Sequence, residues 1–192
     1  METLSGFVLA GGRSTRMGQD KAFLRLEGVT MLERTLVLLR SVAKHVWISG
    51  ATTKFSSFAP VIEDFYPGHG PLGGIHAALR ATATDLNLMV AVDLPLIDVR
   101  LLRYLVTTAE ECDAVVTACE ANGGIHPLCA VYRREFADLA ERAITLGQNK
   151  IDALFSQTRT RIVSEAELSE SGFSAKMFLN LNSPNDLRSL AD

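Results

Sequence analysis

Residues 6–21 read G-F-V-L-A-G-G-R-S-T-R-M-G-Q-D-K, an apolar run that ends in two glycines and continues into a cationic segment. The apolar start contains β-formers and predicts the first strand. Gly11 and Gly12 allow a sharp turn and a close approach to a ligand, because neither residue carries a Cβ. The cations that follow are Arg13, Arg16 and Lys21. A strand that ends in glycines and then presents positive charge predicts a cradle for a polyphosphate group.

This stretch matches neither of two common phosphate-binding motifs. A Walker A loop requires Gly-Lys-Ser/Thr, whereas Gly18 is followed here by Gln19 and Asp20. The dinucleotide fingerprint requires a different glycine spacing. The phosphate site is therefore predicted from the paired glycines and the cations, and the alternative is an ordinary surface loop.

Composition and length are those of one globular domain spanning residues 1–192. The chain is 47% hydrophobic and 21% charged, and its net charge of −3 gives no general attraction to nucleic acid or to a membrane surface. No run reaches the ~20 apolar residues of a membrane-spanning helix, and no signal-peptide pattern is present. The three cysteines, Cys112, Cys119 and Cys129, have no C-x-x-C spacing, which favours reduced thiols in a cytoplasmic protein.

Hydrophobic periodicity predicts strands that alternate with helices. The predicted strands are 6–10, 45–49, 60–63, 86–92, 114–118, 128–132, 161–163 and 177–179. The predicted helices are 30–42, 74–80, 98–111, 134–146, 150–155 and 185–190. Residues 68–74 are predicted as a loop, and residues 165–172 as a loop or surface helix turn. This alternation predicts a single-domain α/β fold in three layers, α/β/α, with a mostly parallel sheet covered on both faces.

Asp93 follows the apolar run 86–92, whose continuity is typical of a central strand buried on both faces. An acidic residue at the carboxyl end of such a strand lies where open α/β sheets bind ligands. Mg²⁺ takes few carboxylates and keeps substrate oxygens and waters as its other ligands, so Asp93 is the candidate metal ligand. The alternative is a helix-capping or loop acid. His69 and His76 are expected to be solvated rather than ligands.

The predicted chemistry is phosphoryl-group transfer, which depends on positioning and on neutralising the charge of phosphate oxygens. Arg16 and Lys21 can hold the β- and γ-phosphates and stabilise a departing pyrophosphate. Together with Asp93 they form the candidate catalytic set. The presence of all three argues against a nucleotide-binding module without turnover.

Residues 9–21 resemble the signature L-A-G-G-x-S-x-R-M-G-x-D-K of the molybdenum cofactor guanylyltransferases, which belong to the Rossmann-like nucleotidyltransferases. The resemblance extends over nearly the whole chain. Its further matching elements are Gly70-Pro71-Leu72-Gly73-Gly74, Asp93-Leu94-Pro95, His126-Pro127-Leu128 and Asn180-x-Asn182-Ser183-Pro184. It implies the Rossmann-like nucleotidyltransferase fold.

The resemblance also implies roles for individual residues. The implied nucleotide-binding residues are Leu9, Ala10, Gly11, Gly12, Lys21, Ser49, Asp64, Pro71, Leu72, Gly73 and Asp93. The implied molybdopterin-binding residues are Asn180 and Asn182, and Asp93 is the implied Mg²⁺ ligand. Some family members carry an Asn that contacts the nucleotide where this chain has Ser49, so one base or ribose contact differs.

The implied reaction is attack by the terminal phosphate of molybdenum-carrying molybdopterin on the α-phosphate of GTP, giving the guanine dinucleotide cofactor and pyrophosphate. The attacking phosphate is already anionic, so no strong general base is required. GTP and molybdopterin are the expected partners, and transient contact with other cofactor-biosynthesis proteins is also expected. The alternatives are a cytidylyltransferase of the same cofactor, which typically carries A-A-G and lacks G-P-L-x-G, and a sugar-phosphate nucleotidyltransferase.

Overall fold

The computed structural model describes residues 4–11 and 20–181. The strands in these ranges are β1 (Leu4–Leu9), β2 (Arg25–Leu26), β3 (Val29–Thr30), β4 (His45–Ser49), β5 (Val61–Ile62), β6 (Leu86–Ala91), β7 (Val116–Ala121), β8 (Gly124–Arg133) and β9 (Thr160–Val163). The α-helices are α1 (Met31–Arg40), α2 (Thr52–Phe55), α3 (Gly70–Ala81), α4 (Val99–Glu110), α5 (Phe136–Thr145) and α6 (Glu165–Glu170). Short 3-10 helices cover Lys21–Phe23, Asp152–Gln157 and Ala175–Phe178.

The described residues form one seven-stranded sheet in the order β5-β4-β1-β6-β8-β7-β9. Within it, β8 pairs antiparallel with both β6 and β7, and the other pairs are parallel. The reversal follows from the connection between β7 and β8, which is only Asn122 and Gly123, with φ of 55° and 74°. A two-residue connection joins antiparallel strands, and positive φ at both positions matches their twist. The predicted mostly parallel sheet is confirmed.

Helices cover both faces of the sheet, which confirms the predicted three layers. On one face α1 and α4 contribute Leu32, Leu36 and Leu101 to the core, and on the other α3 and α5 contribute Ile75 and Ala140. Strand β6 lies between these layers, and all six of its residues are buried. Burial on both faces is the reason its sequence is nearly continuous in apolar residues.

The sequence T-M-L-E at residues 30–33 predicts a capping box at the start of α1, and the structure contains it. The Glu33 backbone N–H donates to Thr30 Oγ1 at 3.2 Å, and the Thr30 backbone N–H donates to Glu33 Oε2 at 3.0 Å. A hairpin precedes this helix and was not predicted. Its two short strands, β2 and β3, are joined by Glu27 and Gly28, both with positive φ. Gly28 was the only local signal of this turn.

Helix α3 begins at Gly70, four residues before its predicted start, so the prediction of a loop over 68–74 is wrong from Gly70 onward. Glycine and proline suggested a loop. Pro71, however, lies in the first turn, where a backbone N–H would have no partner within the helix anyway. The segment 165–172 contains the regular helix α6, capped by Ser164 and Glu167.

The prediction of a strand over 177–179 is also wrong, because residues 175–178 form a 3-10 helix. Ser174 caps it by accepting from the Lys176 backbone N–H at 3.2 Å. Phe178 is buried, whereas the next residue, Leu179, is 44% exposed. This short apolar run therefore has one buried anchor instead of a strand. The helix predicted over 185–190 lies outside the described residues.

Asn87 in β6 is completely buried and satisfies its whole amide. Its Nδ2 donates to the carbonyl oxygens of Thr84, Asp85 and Tyr132 at 3.1–3.3 Å, and its Oδ1 accepts from Thr84 Oγ1 at 3.0 Å. Replacing Asn87 with Leu leaves these groups without their partner, so we expect the free energy of unfolding to fall by about 2–3 kcal/mol. Urea denaturation measures this change. Asn149→Leu, at an exposed position, is the control, and equal losses in both variants would contradict the prediction.

Candidate active site

The carboxyl ends of the parallel strands β4, β1 and β6 lie side by side at one edge of the sheet. Immediately after β1, the backbone N–H groups of Ala10 and Gly11 both donate to the carbonyl oxygen of Ser49, each at 3.0 Å. The N–H of Val92 donates to the carbonyl of Leu9 at 3.2 Å. These bonds fix the start of the glycine-containing loop against the ends of β4 and β6. The predicted phosphate loop therefore begins at the sheet edge where ligands bind in such folds.

Lys21 and Asp93 form an ion pair at this edge. The Lys21 Nζ lies 3.1 Å from Asp93 Oδ2, and the two side chains are 22% and 23% exposed. The preceding residue, Asp20, caps the short helix that carries Lys21 by accepting from the Ala22 N–H at 3.2 Å. Two residues separated by 72 positions, both predicted as catalytic, thus lie in direct contact. Arg16 and Gly12, predicted for the same site, lie outside the described residues.

The position of Asp93 fits a ligand of a metal ion that takes most of its other ligands from the substrate. Its carboxylate is partly exposed at the sheet edge. Within residues 4–11 and 20–181, no group of three or more His, Cys, Asp or Glu side chains could hold a metal ion. One protein carboxylate can be sufficient for Mg²⁺, which often takes its other ligands from phosphate oxygens and water.

A second set of predicted residues surrounds the first turn of α3. A Cβ built on Gly74 would lie 2.5 Å from Ser49 Oγ, and one built on Gly73 would lie 3.3 Å from Asp64 Oδ2. A Cβ at Gly74 would therefore clash, and one at Gly73 would be in tight contact, so the helix approaches these side chains closely at both positions. Burial raises the pKa of the Asp64 carboxyl. Strand β5 ends two residues before Asp64, which places this carboxylate beside the helix turn.

The side chains of Leu9 and Leu72 belong to the hydrophobic core. Leu9 is 7% exposed and Leu72 is completely buried. Only backbone groups of these two residues remain for a ligand in this conformation. Pro71, by contrast, is exposed at the start of α3.

A cleft of about 280 Å³ lies beside Asp93. Its lining includes Asp93, His126, Pro127, Leu128 and Asn180. The chain next to Asn180 is fixed to the central strand, because the Leu181 N–H donates to the Asp93 carbonyl at 2.9 Å. Asn180 therefore lines the cleft, although it follows a 3-10 helix instead of the predicted strand. Asn182 lies outside the described residues.

The prediction that His76 is solvated is wrong, whereas His69 is partly exposed. The imidazole of His76 packs against Tyr66, with ring centroids 5.3 Å apart, and its Nε2 lies 3.9 Å from Glu141 Oε2. Burial lowers the pKa of His76. The contact with Glu141 depends on how α5 packs against α3, which the local sequence does not reveal.

The contribution of Phe178 was also missed from the sequence. Its ring packs on His126 with centroids 4.5 Å apart, and it anchors the segment that carries Asn180. The only sequence signal was an aromatic residue two positions before Asn180.

The described part of the chain contains no helix long and apolar enough to span a membrane.

Comparison with known proteins gives three concordant results. The family described as "MobA-like NTP transferase domain" matches residues 6–162. A protein of Carboxydothermus hydrogenoformans named "Probable molybdenum cofactor guanylyltransferase" is 34% identical over 191 residues, which are 99% of this chain and 96% of the relative. A protein of Pelotomaculum thermopropionicum with the same name is 35% identical, over 95% of this chain and 89% of its own.

The fold is shared with a solved structure. The crystal structure of molybdopterin-guanine dinucleotide biosynthesis protein A from Archaeoglobus fulgidus matches with a TM-score of 0.84 at 27% identity. The match covers 96% of this chain and 95% of that chain. The predicted Rossmann-like nucleotidyltransferase fold is thereby confirmed.

Proposed function

Because the chain belongs to the MobA-like NTP transferase family, we propose that it transfers GMP from GTP to the terminal phosphate of molybdenum-carrying molybdopterin and releases pyrophosphate. The observation that carries this proposal is the contact between Lys21 and Asp93 at the end of the central strands. It brings together a cation suited to a phosphate and a carboxylate suited to a metal ion. The names of the two relatives support guanylyl transfer and molybdopterin as the acceptor.

The nucleotide is proposed to lie between the glycine-containing loop and the first turn of α3. The residues assigned to it are Leu9, Ala10, Gly11, Gly12, Lys21, Ser49, Asp64, Pro71, Leu72, Gly73 and Asp93. Support comes from the close approach of Gly73 and Gly74 to Asp64 and Ser49, which leaves bare backbone next to a carboxylate. A guanine base offers N–H donors that a carboxylate can accept.

Lys21 and Arg16 are assigned to the phosphates. In the structure the ammonium of Lys21 neutralises Asp93, and the partial exposure of both side chains allows each to take a new partner. Lys21 then faces the oxygens of the departing pyrophosphate, whose negative charge grows during transfer. Asp93 would hold Mg²⁺, which when bound supplies further neutralisation of phosphate charge.

Molybdopterin is proposed to occupy the cleft beside Asp93, with Asn180 and Asn182 as its contacts. An amide side chain both donates and accepts hydrogen bonds, so it suits a pterin ring or its phosphate. The acceptor phosphate is an anion and attacks without losing a proton to the protein. The site therefore needs orientation more than a general base.

The proposal also includes transient contact with other cofactor-biosynthesis proteins, and a cytoplasmic location that agrees with the three free cysteines.

A direct transfer assay tests this function. The purified protein is incubated with GTP, Mg²⁺ and molybdenum-loaded molybdopterin, and pyrophosphate release is followed while the dinucleotide is identified by mass spectrometry. We expect stoichiometric pyrophosphate and guanine dinucleotide, with neither product when the pterin is omitted. Nucleotide binding without any dinucleotide would overturn the proposed activity.

Replacing Lys21 with Met should reduce kcat/KM for GTP by roughly 10- to 100-fold, because a hydrogen bond from a charged group to phosphate contributes about 1.5–3 kcal/mol. The melting temperature without ligand should change little, since the ion pair is partly exposed and contributes little to folding. Lys54→Met is the matched control: its Nζ pairs with Asp20 Oδ2 at 3.0 Å in the same region. Similar kinetic losses in both variants would contradict a specific role for Lys21.

A further inference from the structure

The hairpin formed by β7 and β8 is hydrogen-bonded to the segment that leads to Asn180. At the hairpin turn, Asn122 Nδ2 donates to the Ala175 carbonyl at 2.9 Å, and the Asn122 backbone N–H donates to Glu165 Oε2 at 2.7 Å. Asn122 has a φ of 55°, a left-handed backbone conformation that asparagine adopts more readily than most residues. The first residue of the 3-10 helix is thereby tied to the tip of the hairpin.

His126 makes a second contact with this segment, closer to the cleft. Its Nε2 lies 3.0 Å from the carbonyl oxygen of Ala121 across the hairpin. A carbonyl oxygen can only accept, so Nε2 carries the proton and donates it. With the ring fixed in this way, its face packs on Phe178, with centroids 4.5 Å apart and the planes inclined by 31°. The bond to Ala121 therefore determines the surface against which Phe178 rests.

Phe178 in turn determines where the following residues lie. It is 2% exposed, and Leu181 is 1% exposed with its N–H bonded to the Asp93 carbonyl. The two residues between these anchors, Leu179 and Asn180, are exposed. Asn180 is thus held from both sides, by the ring stack before it and by the backbone of Asp93 after it.

We infer that His126 is a positioning residue for the acceptor substrate: through Phe178 it holds Asn180 at the fixed place beside Asp93 that molybdopterin binding requires. This inference rests on the proposed function only for the identity of the substrate. The arrangement itself makes the hairpin, which lies beyond the parallel strands, a structural part of the acceptor half of the site. His126 also lines the cleft, so direct contact with the substrate is the competing explanation.

Amide hydrogen exchange tests the arrangement in the free protein, without any substrate. In His126→Ala the Leu181 amide should exchange about tenfold faster than in the wild type, because the anchor before it is loosened. His45→Ala is the matched control, since His45 is exposed and lies at the opposite end of its strand from the site. Unchanged exchange at Leu181 in His126→Ala would overturn the inference whether or not the protein transfers GMP.

Kinetics separate positioning from direct contact. We expect His126→Ala to raise KM for molybdenum-loaded molybdopterin about tenfold while KM for GTP stays within about twofold. His126→Phe keeps a ring and His126→Gln keeps a donor, so each should recover part of the loss. In a double-mutant cycle with Asn180→Ala, the effect of His126→Ala should largely disappear, because it acts through Asn180.

The possible results distinguish a failure of the proposed GMP transfer from a failure of the positioning role of His126. A wild-type protein that makes no dinucleotide overturns the proposed function, and the exchange experiment then still decides the arrangement. If the wild type is active, additive effects of His126→Ala and Asn180→Ala would overturn the positioning role and favour direct contact. A parallel rise of both KM values together with a lower melting temperature would also overturn it, since that pattern indicates general loosening of the fold.

Discussion

Replacing Asp93 with Asn should give a folded protein that transfers GMP about a thousandfold or more slowly than the wild type. The amide nearly preserves the size of the side chain but removes the negative charge that would hold Mg²⁺ at the phosphates. Loss of this metal contribution costs several kcal/mol in the transition state, and each 1.4 kcal/mol is about tenfold in rate. The backbone carbonyl of Asp93, which binds the Leu181 N–H, is unchanged by the substitution.

The experiment compares pyrophosphate release by wild type and variant at saturating GTP over a range of Mg²⁺ concentrations. Asp85→Asn is a close control, because Asp85 directly precedes β6 and Asp93 lies just beyond its end. Asp85 pairs with Arg133 at the opposite edge of the sheet, so its loss should leave the transfer rate almost unchanged. Turnover of Asp93→Asn near the wild-type rate at high Mg²⁺ would remove Asp93 from the catalytic set.

GTP should be preferred over CTP and ATP by at least about a hundredfold in kcat/KM. Guanine presents an N1 donor, an exocyclic amine and an O6 acceptor, and a buried polar group left unpaired costs about 1–3 kcal/mol. The half-buried carboxylate of Asp64, next to Gly73, is the acceptor that we propose for the two donors. Ser49, where some family members carry Asn, could cost one hydrogen bond, about tenfold at most, which leaves the preference intact.

Competition between equal concentrations of GTP and CTP decides the nucleotide, with the dinucleotide products separated by mass spectrometry. Asp64→Asn should narrow the preference for GTP, because one of the carboxylate acceptors becomes a donor. Glu63→Gln, one residue earlier and exposed, should leave it unchanged. A cytosine dinucleotide as the main product would replace guanylyl transfer by cytidylyl transfer while the fold and the phosphate chemistry remain.

The sequence was most informative where a single local pattern determines a helix or a strand. The run 86–92 is apolar because β6 is covered on both faces, so its strand and the position of Asp93 could be predicted together. Lys21 and Asp93 are far apart in sequence, but each follows a central strand of the same sheet, and their contact follows from that topology. The capping box at Thr30 likewise specified the start of α1 without reference to the rest of the molecule.

Prediction from the sequence failed where tertiary packing determines the conformation or the burial of a residue. The run 177–179 is too short to show a period, and its one buried residue, Phe178, is covered by tertiary contacts that include the ring of His126. His76 is buried because α5 packs over α3, which no local pattern reveals. The start of α3 was misjudged because glycine and proline suit both a loop and a first helical turn. Such features connect residues that only the completed fold brings together.

The central position of β1 has a consequence for the synthesis of the chain. This strand is made before both of its neighbours, β4 and β6, and its pairing is complete only after residue 91 has left the ribosome. Until then the nascent chain carries an apolar strand with an open edge, which is a site for association with other chains. Pairings of this sequence separation also slow folding. A pause in translation before β6 is therefore expected to prolong the exposure of this edge to aggregation.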